Sequence, residues 1–143
     1  MKEMKDVYFA YGSSVPQQGS SANLWRVEKD GKLHYVTTSI VIKKPRKSKK
    51  ISGLYRVDTK KGIYLLQTEP MKPQLGYPQK EIKFAVANEL PIKGSPAILK
   101  VLYSGKLETV ATSTVIHHPL KHTSIDLWLI QTAENVYILK NIL

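Results

Sequence analysis

The chain has no cysteine among its 143 residues and no long apolar run. Without cysteine, neither a disulfide nor a thiolate metal site can form, and a reducing compartment fits better than a secreted one. The N-terminal residues lack the apolar segment of a signal peptide, and no segment approaches the length of a membrane span. We therefore expect a cytoplasmic protein that does not span a membrane.

Acidic residues are also few, since 11 Asp and Glu stand against 22 Lys and Arg, a formal net charge of +11. The excess is concentrated in residues 5–68, which hold 13 basic and 4 acidic residues, whereas residues 80–141 hold 7 and 5. Such clustering suggests a polyanionic partner, with nucleic acid the usual one and an anionic membrane surface the next. A charge that only keeps the protein soluble is the alternative.

The sequence repeats itself, because residues 5–68 align with residues 80–141. The clearest stretch matches residues 31–51 with residues 105–125, where 11 of 21 positions are identical. The alignment needs two one-residue gaps, which we place near Asn23 and near Gly62. An internal repeat determines the architecture of a fold. We therefore predict two similar units, joined by residues 69–79, whose prolines favour an extended spacer.

Nearly every segment of each unit has the composition of a β-strand. Runs rich in β-branched and aromatic residues predict five strands in the first unit, at 7–11, 24–28, 32–42, 51–57 and 63–67. Gly31 can adopt the positive φ needed for a hairpin turn at residues 29–31, and no window has the spacing of an amphipathic helix. The third strand has apolar residues on both parities, which predicts a bulge or bend where the strand passes from serving one face to serving another.

Five strands in a unit of this size favour a small antiparallel barrel of the SH3-like kind, because closure of the sheet removes exposed edges. The predicted fold class is thus all-β, with two small barrels related by pseudo-symmetry. An OB-like barrel and a single ten-stranded sandwich are the alternatives.

The strongest chemical feature is a basic run at residues 43–50. Its six cations are Lys43, Lys44, Arg46, Lys47, Lys49 and Lys50. So many like charges cannot be buried together, and we expect a loop that projects into solvent and binds an anion. Arg56, on the next predicted strand, belongs to the same candidate surface. A solvated loop without a partner and a localisation signal are the alternatives.

The corresponding segment of the second unit, residues 117–122, reads HHPLKH. We predict that His117, His118 and Lys121 form a second, weaker anion contact that strengthens as histidine protonates. A metal site is the sharper alternative. However, adjacent histidines point to opposite sides of an extended chain, and only Asp126 offers a nearby carboxylate. We predict neither a metal nor a cofactor.

Aromatic residues are also more frequent in the first unit, with seven against four. In the alignment, Tyr8 faces Lys83 and Tyr55 faces Leu129. Because Tyr8 has the opposite parity from Phe9, it should point out of the core. Exposed tyrosine beside Lys and Arg is what a stacking platform for unpaired bases requires, so Tyr8 and Tyr55 join the candidate nucleic-acid site. Tyrosines that merely cap the barrel, with their hydroxyls in water, are the alternative.

The fourth predicted strand of the second unit is apolar on both faces. It reads IDLWLI over residues 125–130, whereas its counterpart in the first unit reads ISGLYR. An extra apolar face is costly in water. We therefore predict that Trp128 and Ile130 form the surface on which the units pack or on which two chains pair.

Signatures of catalysis are missing from the sequence. The carboxylates are scattered, and no nucleotide-binding or nucleophile motif occurs. Ser113, His117 and Asp126 could be drawn as a triad, but neither spacing nor turn chemistry selects them.

The leading hypothesis is a non-catalytic protein whose first unit binds DNA or RNA largely without reading its sequence. The alternative is a protein-interaction or assembly module, such as an accessory subunit of a phage, plasmid or secretion apparatus. That module would use the apolar face of the second unit.

Overall fold

The computed structural model describes residues 6–28, 30–73, 80–103, 106–121 and 127–141. All regular structure in these residues is β-strand, so the predicted all-β class is confirmed. Among them there is no helix with the length and apolar character needed to cross a membrane. The remaining residues include Lys29 and the 104–105 pair of the predicted hairpin turns, as well as His122 and Asp126 of the metal alternative, which lie outside the described residues.

Each half of the chain contributes six strands. The N-terminal half contains β1 (Asp6–Tyr11), β2 (Asn23–Val27), β3 (Leu33–Thr37), β4 (Arg46–Lys47), β5 (Ile51–Asp58) and β6 (Gly62–Pro73). The C-terminal half contains β7 (Ile82–Ala87), β8 (Pro96–Tyr103), β9 (Lys106–Thr114), β10 (Leu120–Lys121), β11 (Leu127–Gln131) and β12 (Val136–Asn141). All five predicted strands of the first unit are present, although the third is shorter and the two-residue β4 is added. Part of the predicted spacer, residues 69–73, continues β6, and residues 74–79 lie outside the described residues.

The strands follow the same order in both halves. The N-terminal half has the order β3-β2-β1-β6-β5-β4, and the C-terminal half has the order β9-β8-β7-β12-β11-β10. In each half the first and last long strands, β1 with β6 and β7 with β12, pair in parallel. Strand β6 extends past the residues that pair with β1, and its Met71 pairs with Ile82 of β7 in the other half. The twelve strands therefore form one connected sheet.

The sheet is open, so the prediction of closed antiparallel barrels was wrong. Strand β3 pairs only with β2. After Thr37 the chain continues along the residues that precede β2, where Thr38 N donates to Ala22 O and Val41 N donates to Ser20 O. Val41 also forms an isolated bridge with Thr59, just beyond the end of β5. One bridge does not extend the ladder far enough to close it. Residues 32–42 pair with β2 at one end and bridge to Thr59 at the other, an arrangement that a bend in this segment fits.

The same backbone hydrogen bonds recur in the two halves. The amide of Gly19 donates to Val41 O, and that of Gly94 donates to Val115 O, both at 2.8 Å. Gly19 and Gly94 have φ values of 91° and 94°, in the region that glycine occupies without strain. The bridge between Val41 and Thr59 likewise has a counterpart between Val115 and Thr132. The local conformation is thus reproduced residue by residue.

The strand registers place both one-residue gaps of the repeat alignment at positions other than those predicted. The first gap lies in the turn after β2, because the connection between Val27 and Leu33 is one residue longer than that between Leu102 and Leu107. The predicted positive φ in this turn is confirmed, since Gly31 has φ 74°.

The second gap lies between the bridge partners Val41 and Thr59, where Gly53 forms a bulge in β5, and not near Gly62. Gly53 has φ 81°, and a Cβ there would lie 2.8 Å from Glu69 O, so the extra residue has to be glycine. After this shift, Tyr55 corresponds to Trp128 and not to Leu129.

The apolar core has three parts. One cluster belongs to the N-terminal half and includes Leu24, Val57 and Leu66. A second belongs to the C-terminal half and includes Leu99 and Ile130. The third, which we call the interface cluster, takes residues from both halves: Phe9, Val27, Met71, Ile82, Phe84, Val86, Leu102 and Leu127. The two halves therefore share a core.

A pair of phenylalanines lies within the interface cluster. The rings of Phe9 and Phe84 stack with centroids 4.4 Å apart and an interplanar angle of 8°, and both residues are essentially fully buried. Lys140 of β12 adds a polar contact between the halves, because its Nζ donates to Val7 O at 2.7 Å. Neither half can keep its share of this contact without the other, which predicts that the halves unfold together.

Truncation of either ring should destabilise the whole molecule. We expect Phe9→Ala and Phe84→Ala each to lower the free energy of unfolding by about 3–5 kcal/mol, because a buried aromatic side chain is lost and a cavity remains. Urea unfolding followed by circular dichroism should show one transition in both variants. The exposed Ile98→Ala is the control and should change the value by no more than about 0.5 kcal/mol. Two separate transitions, with one half unaffected, would contradict the shared core.

Candidate functional site

The basic run lies along the outer edge of the N-terminal half. Arg46 and Lys47 form β4, which pairs with Arg56 and Tyr55 of β5. The amide of Ser48 donates to Leu54 O at 2.9 Å, and the hydroxyl of Ser48 accepts a hydrogen bond from Ile51 N at 3.1 Å. The expected projecting loop is therefore a short edge strand. Its cations remain exposed, because β4 is the last strand on this side of the sheet.

Three cations surround one carboxylate at this edge. Asp58 at the end of β5 has a side chain that is only 7% exposed, and its Oδ1 accepts a hydrogen bond from Arg56 Nε at 2.9 Å. Its Oδ2 lies 3.7 Å from Arg46 Nη2 and 4.0 Å from Lys43 Nζ. We call Lys43, Arg46, Arg56 and Asp58 the cation cluster. Arg46 and Arg56 are direct cross-strand partners, an arrangement that is unfavourable for like charges and that Asp58 relieves.

The other cations of the basic run have no carboxylate beside them. Lys44, Lys47, Lys49 and Lys50 are exposed, and none forms an ion pair with any residue that the structure describes. Together with the cation cluster they place seven cations and one carboxylate along a single sheet edge. This edge is therefore strongly positive.

The C-terminal half lacks this cluster at the equivalent edge. Leu120 of β10 pairs with Leu129 of β11, in the place where Arg46 pairs with Arg56. Gln131 precedes the bridging Thr132, as Asp58 precedes Thr59. The sheet thus forms the same pairing with two leucines and a glutamine, which indicates that the fold itself does not require the charges.

Two of the predicted aromatic contacts are enclosed by other side chains. The ring of Tyr8 stacks on Tyr64 with centroids 5.3 Å apart, and the guanidinium of Arg26 lies 4.5 Å from the Tyr8 ring centroid. Burial, together with the nearby Asp6 carboxylate, raises the pKa of the Tyr8 phenol. Tyr55 is half-buried against the N-terminal core cluster. The expectation that Tyr8 points away from the core was wrong, because strand β1 has apolar neighbours on both faces.

Sequence reasoning missed an exposed aromatic pair on the other side of the same half. Trp25 and Tyr35 are cross-strand partners on β2 and β3, with ring centroids 5.1 Å apart and exposed fractions of 40% and 61%. Their pairing follows from the register of the hairpin that the turn at residues 29–31 closes. Strands β1 and β6 separate this pair from the cation cluster.

The acidic residues of the N-terminal half gather at the same end as the aromatic pair. Asp6, Glu28 and Asp30 line a groove of about 520 Å³ together with Tyr8 and His34. The His34 imidazole, 3.0 Å from Asp30, lowers the pKa of that carboxyl. Three of the four acidic residues between positions 5 and 68 therefore lie at one end of the sheet, away from the basic edge.

The histidine segment of the C-terminal half is exposed. His117 and His118 are both at the surface, and Lys121 lies in β10 with its Nζ 5.8 Å from the ring centroid of Trp128. No group of three or more His, Asp or Glu side chains in the described part of the chain is placed to hold a metal ion.

Trp128 and Ile130 lie in the core of their own half. Ile130 is fully buried there, and Trp128 packs half-buried against the same cluster. The residue of β11 that reaches the interface cluster is Leu127, on the opposite face of the strand. Successive residues of a strand alternate between faces, so Leu127 faces the other half while its neighbour Trp128 faces the core of its own half.

Comparisons of this chain with protein-family models, with curated proteins and with solved structures find no match.

The cation cluster should be replaceable by the residues of the other half. We expect the combined variant Arg46→Leu, Arg56→Leu and Asp58→Gln to fold with an unfolding free energy within about 1 kcal/mol of the original, because the C-terminal half forms the same strand pairing with leucines and a glutamine and because partly exposed ion pairs contribute little to stability. Asp58→Gln alone should cost about 1–3 kcal/mol, because it leaves the cations without their counter-charge. Urea unfolding of both variants checks this. A combined variant less stable than Asp58→Gln alone would show that the cluster serves the fold.

Proposed function

We propose that the protein is a non-catalytic nucleic-acid-binding protein and that the basic edge of the N-terminal half makes the contact. The observation that carries this proposal is the set of seven exposed cations along β4 and β5, with one buried carboxylate among them. Phosphate groups spaced along a nucleic-acid backbone are the polyanion that such a line of cations suits. Binding of this kind is largely independent of sequence, because phosphates carry no base information.

The charge distribution within the N-terminal half supports one orientation of the partner. The groove at β1–β3 offers a polyanion little attraction, because its Glu28 is paired with Arg26 and its Asp30 contacts His34, whereas the edge at β4 and β5 attracts it. His117, His118 and Lys121 stand at the equivalent edge of the C-terminal half as a weaker contact. Tyr55 contributes by packing under the surface of this edge, whereas Tyr8 lines the groove at β1–β3, and neither stacks on bases.

We further propose that the chain arose by tandem duplication of one six-stranded unit. The equal strand order, the recurring hydrogen bonds and the repeated sequence support this origin. After duplication, the shared positions kept the fold while the edge strands diverged. The N-terminal copy now has arginine at the positions where the C-terminal copy has leucine.

Assembly with another protein is a second candidate function, and exposed apolar residues of the C-terminal half favour it. Ile98, Ile92 and Leu120 are 73%, 73% and 56% exposed. The originally predicted contact residues support it less, because Ile130 offers no surface to a partner.

Removal of the basic run should abolish binding. We expect a variant with all six cations of the run changed to Gln to lose affinity for labelled single- and double-stranded DNA and RNA, as measured by fluorescence anisotropy across a salt series. If all six meet phosphates, the intact protein should show a log–log salt slope of about −5 on duplex DNA and about −4 on a single strand.

A matched pair of variants separates position from net charge. One variant changes Lys47, Lys49 and Lys50 to Gln and so removes three positive charges from the basic edge. The other changes Lys93, Lys100 and Lys106 to Gln and removes the same charge from the C-terminal half. Only the first should weaken binding and reduce the slope, by about 2–3. Equal effects would mean that net charge alone attracts the polyanion, and absence of binding by the intact protein would overturn the proposal.

A further inference from the structure

The cation cluster has a charge excess that the fold does not neutralise. Lys43, Arg46 and Arg56 supply three positive charges within 4.0 Å of the Asp58 carboxylate, which supplies one negative charge, so the cluster has a net charge of two positive. The exposed fractions of the Lys43, Arg46 and Arg56 side chains are 66%, 63% and 42%. The buried carboxylate holds the cations together, and their outer surface faces solvent.

Most hydrogen-bond donors of the two arginines are unused. Arg56 donates its Nε to Asp58, and Arg46 approaches the carboxylate only to 3.7 Å, beyond hydrogen-bond distance. In the part of the chain that the structure describes, the terminal nitrogens of both guanidinium groups have no other acceptor. Two neighbouring guanidinium groups with free donors match the several oxygens of one phosphate, which arginine binds bidentately.

The size of the charge excess selects the kind of phosphate. A phosphodiester within a nucleic-acid strand carries one negative charge, whereas a terminal phosphomonoester carries nearly two at neutral pH. We infer that the cation cluster is a site for the terminal phosphate at the end of a nucleic-acid strand. This inference rests on the proposed function and specifies which part of the nucleic acid the cluster holds.

The remaining cations of the basic run then contact the phosphodiesters next to the strand end. Lys47 lies next to Arg46 but on the opposite face of β4, and Lys49 and Lys50 follow along the edge. These lysines lie beside the cluster, where the phosphodiesters next to the strand end would run. The absence of the cluster from the C-terminal half, where Leu120 and Leu129 stand, makes the terminal-phosphate site a property of the N-terminal half alone.

Oligonucleotides that differ only in their ends test the inference. A short single strand would be prepared with a 5′-phosphate, with a 3′-phosphate and with hydroxyls at both ends, and binding to the intact protein would be measured by anisotropy of an internal label. We expect at least one phosphorylated form to bind about tenfold more tightly than the hydroxyl form, because only the phosphorylated form can make charge-assisted hydrogen bonds to the guanidinium groups of the cluster. Inorganic phosphate should compete away this preference.

Two variants show which residues produce the preference for a terminal phosphate. The combined Arg46→Leu, Arg56→Leu and Asp58→Gln variant should bind all forms equally, because it lacks the cluster but retains the neighbouring lysines. The variant with Lys47, Lys49 and Lys50 changed to Gln should bind every form more weakly and keep the preference. Equal binding of all forms by the intact protein would overturn the terminal-phosphate site and leave the proposed function standing. No binding of any form would overturn the proposed function, and the terminal-phosphate site with it.

Discussion

The stacking of Phe9 on Phe84 joins two halves that could not each bury a full core alone. Both rings lie on the first strand of their half, and around them the interface cluster draws residues from β1, β2 and β6 on one side and from β7, β8 and β11 on the other. Because this contact uses the same face of both halves, each half keeps its own second cluster and its own outer edge. The position of the functional edges depends on this shared core.

With the core held in common, the edge strands are the part of each half that is free to change. At the N-terminal edge, Arg46 and Arg56 pair across two strands, and both lie beside the buried Asp58 carboxylate. At the C-terminal edge, Leu120 and Leu129 pair in the same way. The same backbone thus supports a charged edge and an apolar edge. At the far end of the N-terminal half, Glu28 is paired with Arg26 and Asp30 contacts His34, so the cations without a carboxylate partner at β4 and β5 are the surface that would attract a polyanion.

The sequence predicted the strands better than their arrangement. Alternating apolar patterns located five strands per unit and the bend after β3, but they carry no information on partners at long range. The parallel pairing of β1 with β6 and the open edge at β4 therefore could not be read from it. One misplaced gap in the repeat alignment also changed which residues of the two halves correspond, since it matched Tyr55 with Leu129 instead of Trp128. The basic run was evident from composition, whereas Asp58 was not, because only the register brings it beside Arg46 and Arg56.

The claim that one edge of one half binds nucleic acid is tested most directly by backbone amide NMR during titration with a short single-stranded oligonucleotide. The account predicts that chemical-shift changes concentrate on residues 43–58 and increase as salt is lowered. The equivalent strands β10 and β11 and the acidic groove around Asp30 should change little. Changes of equal size in both halves, or changes centred on Trp25 and Tyr35, would contradict the account, because they would place the contact away from the edge where the positive charge is concentrated.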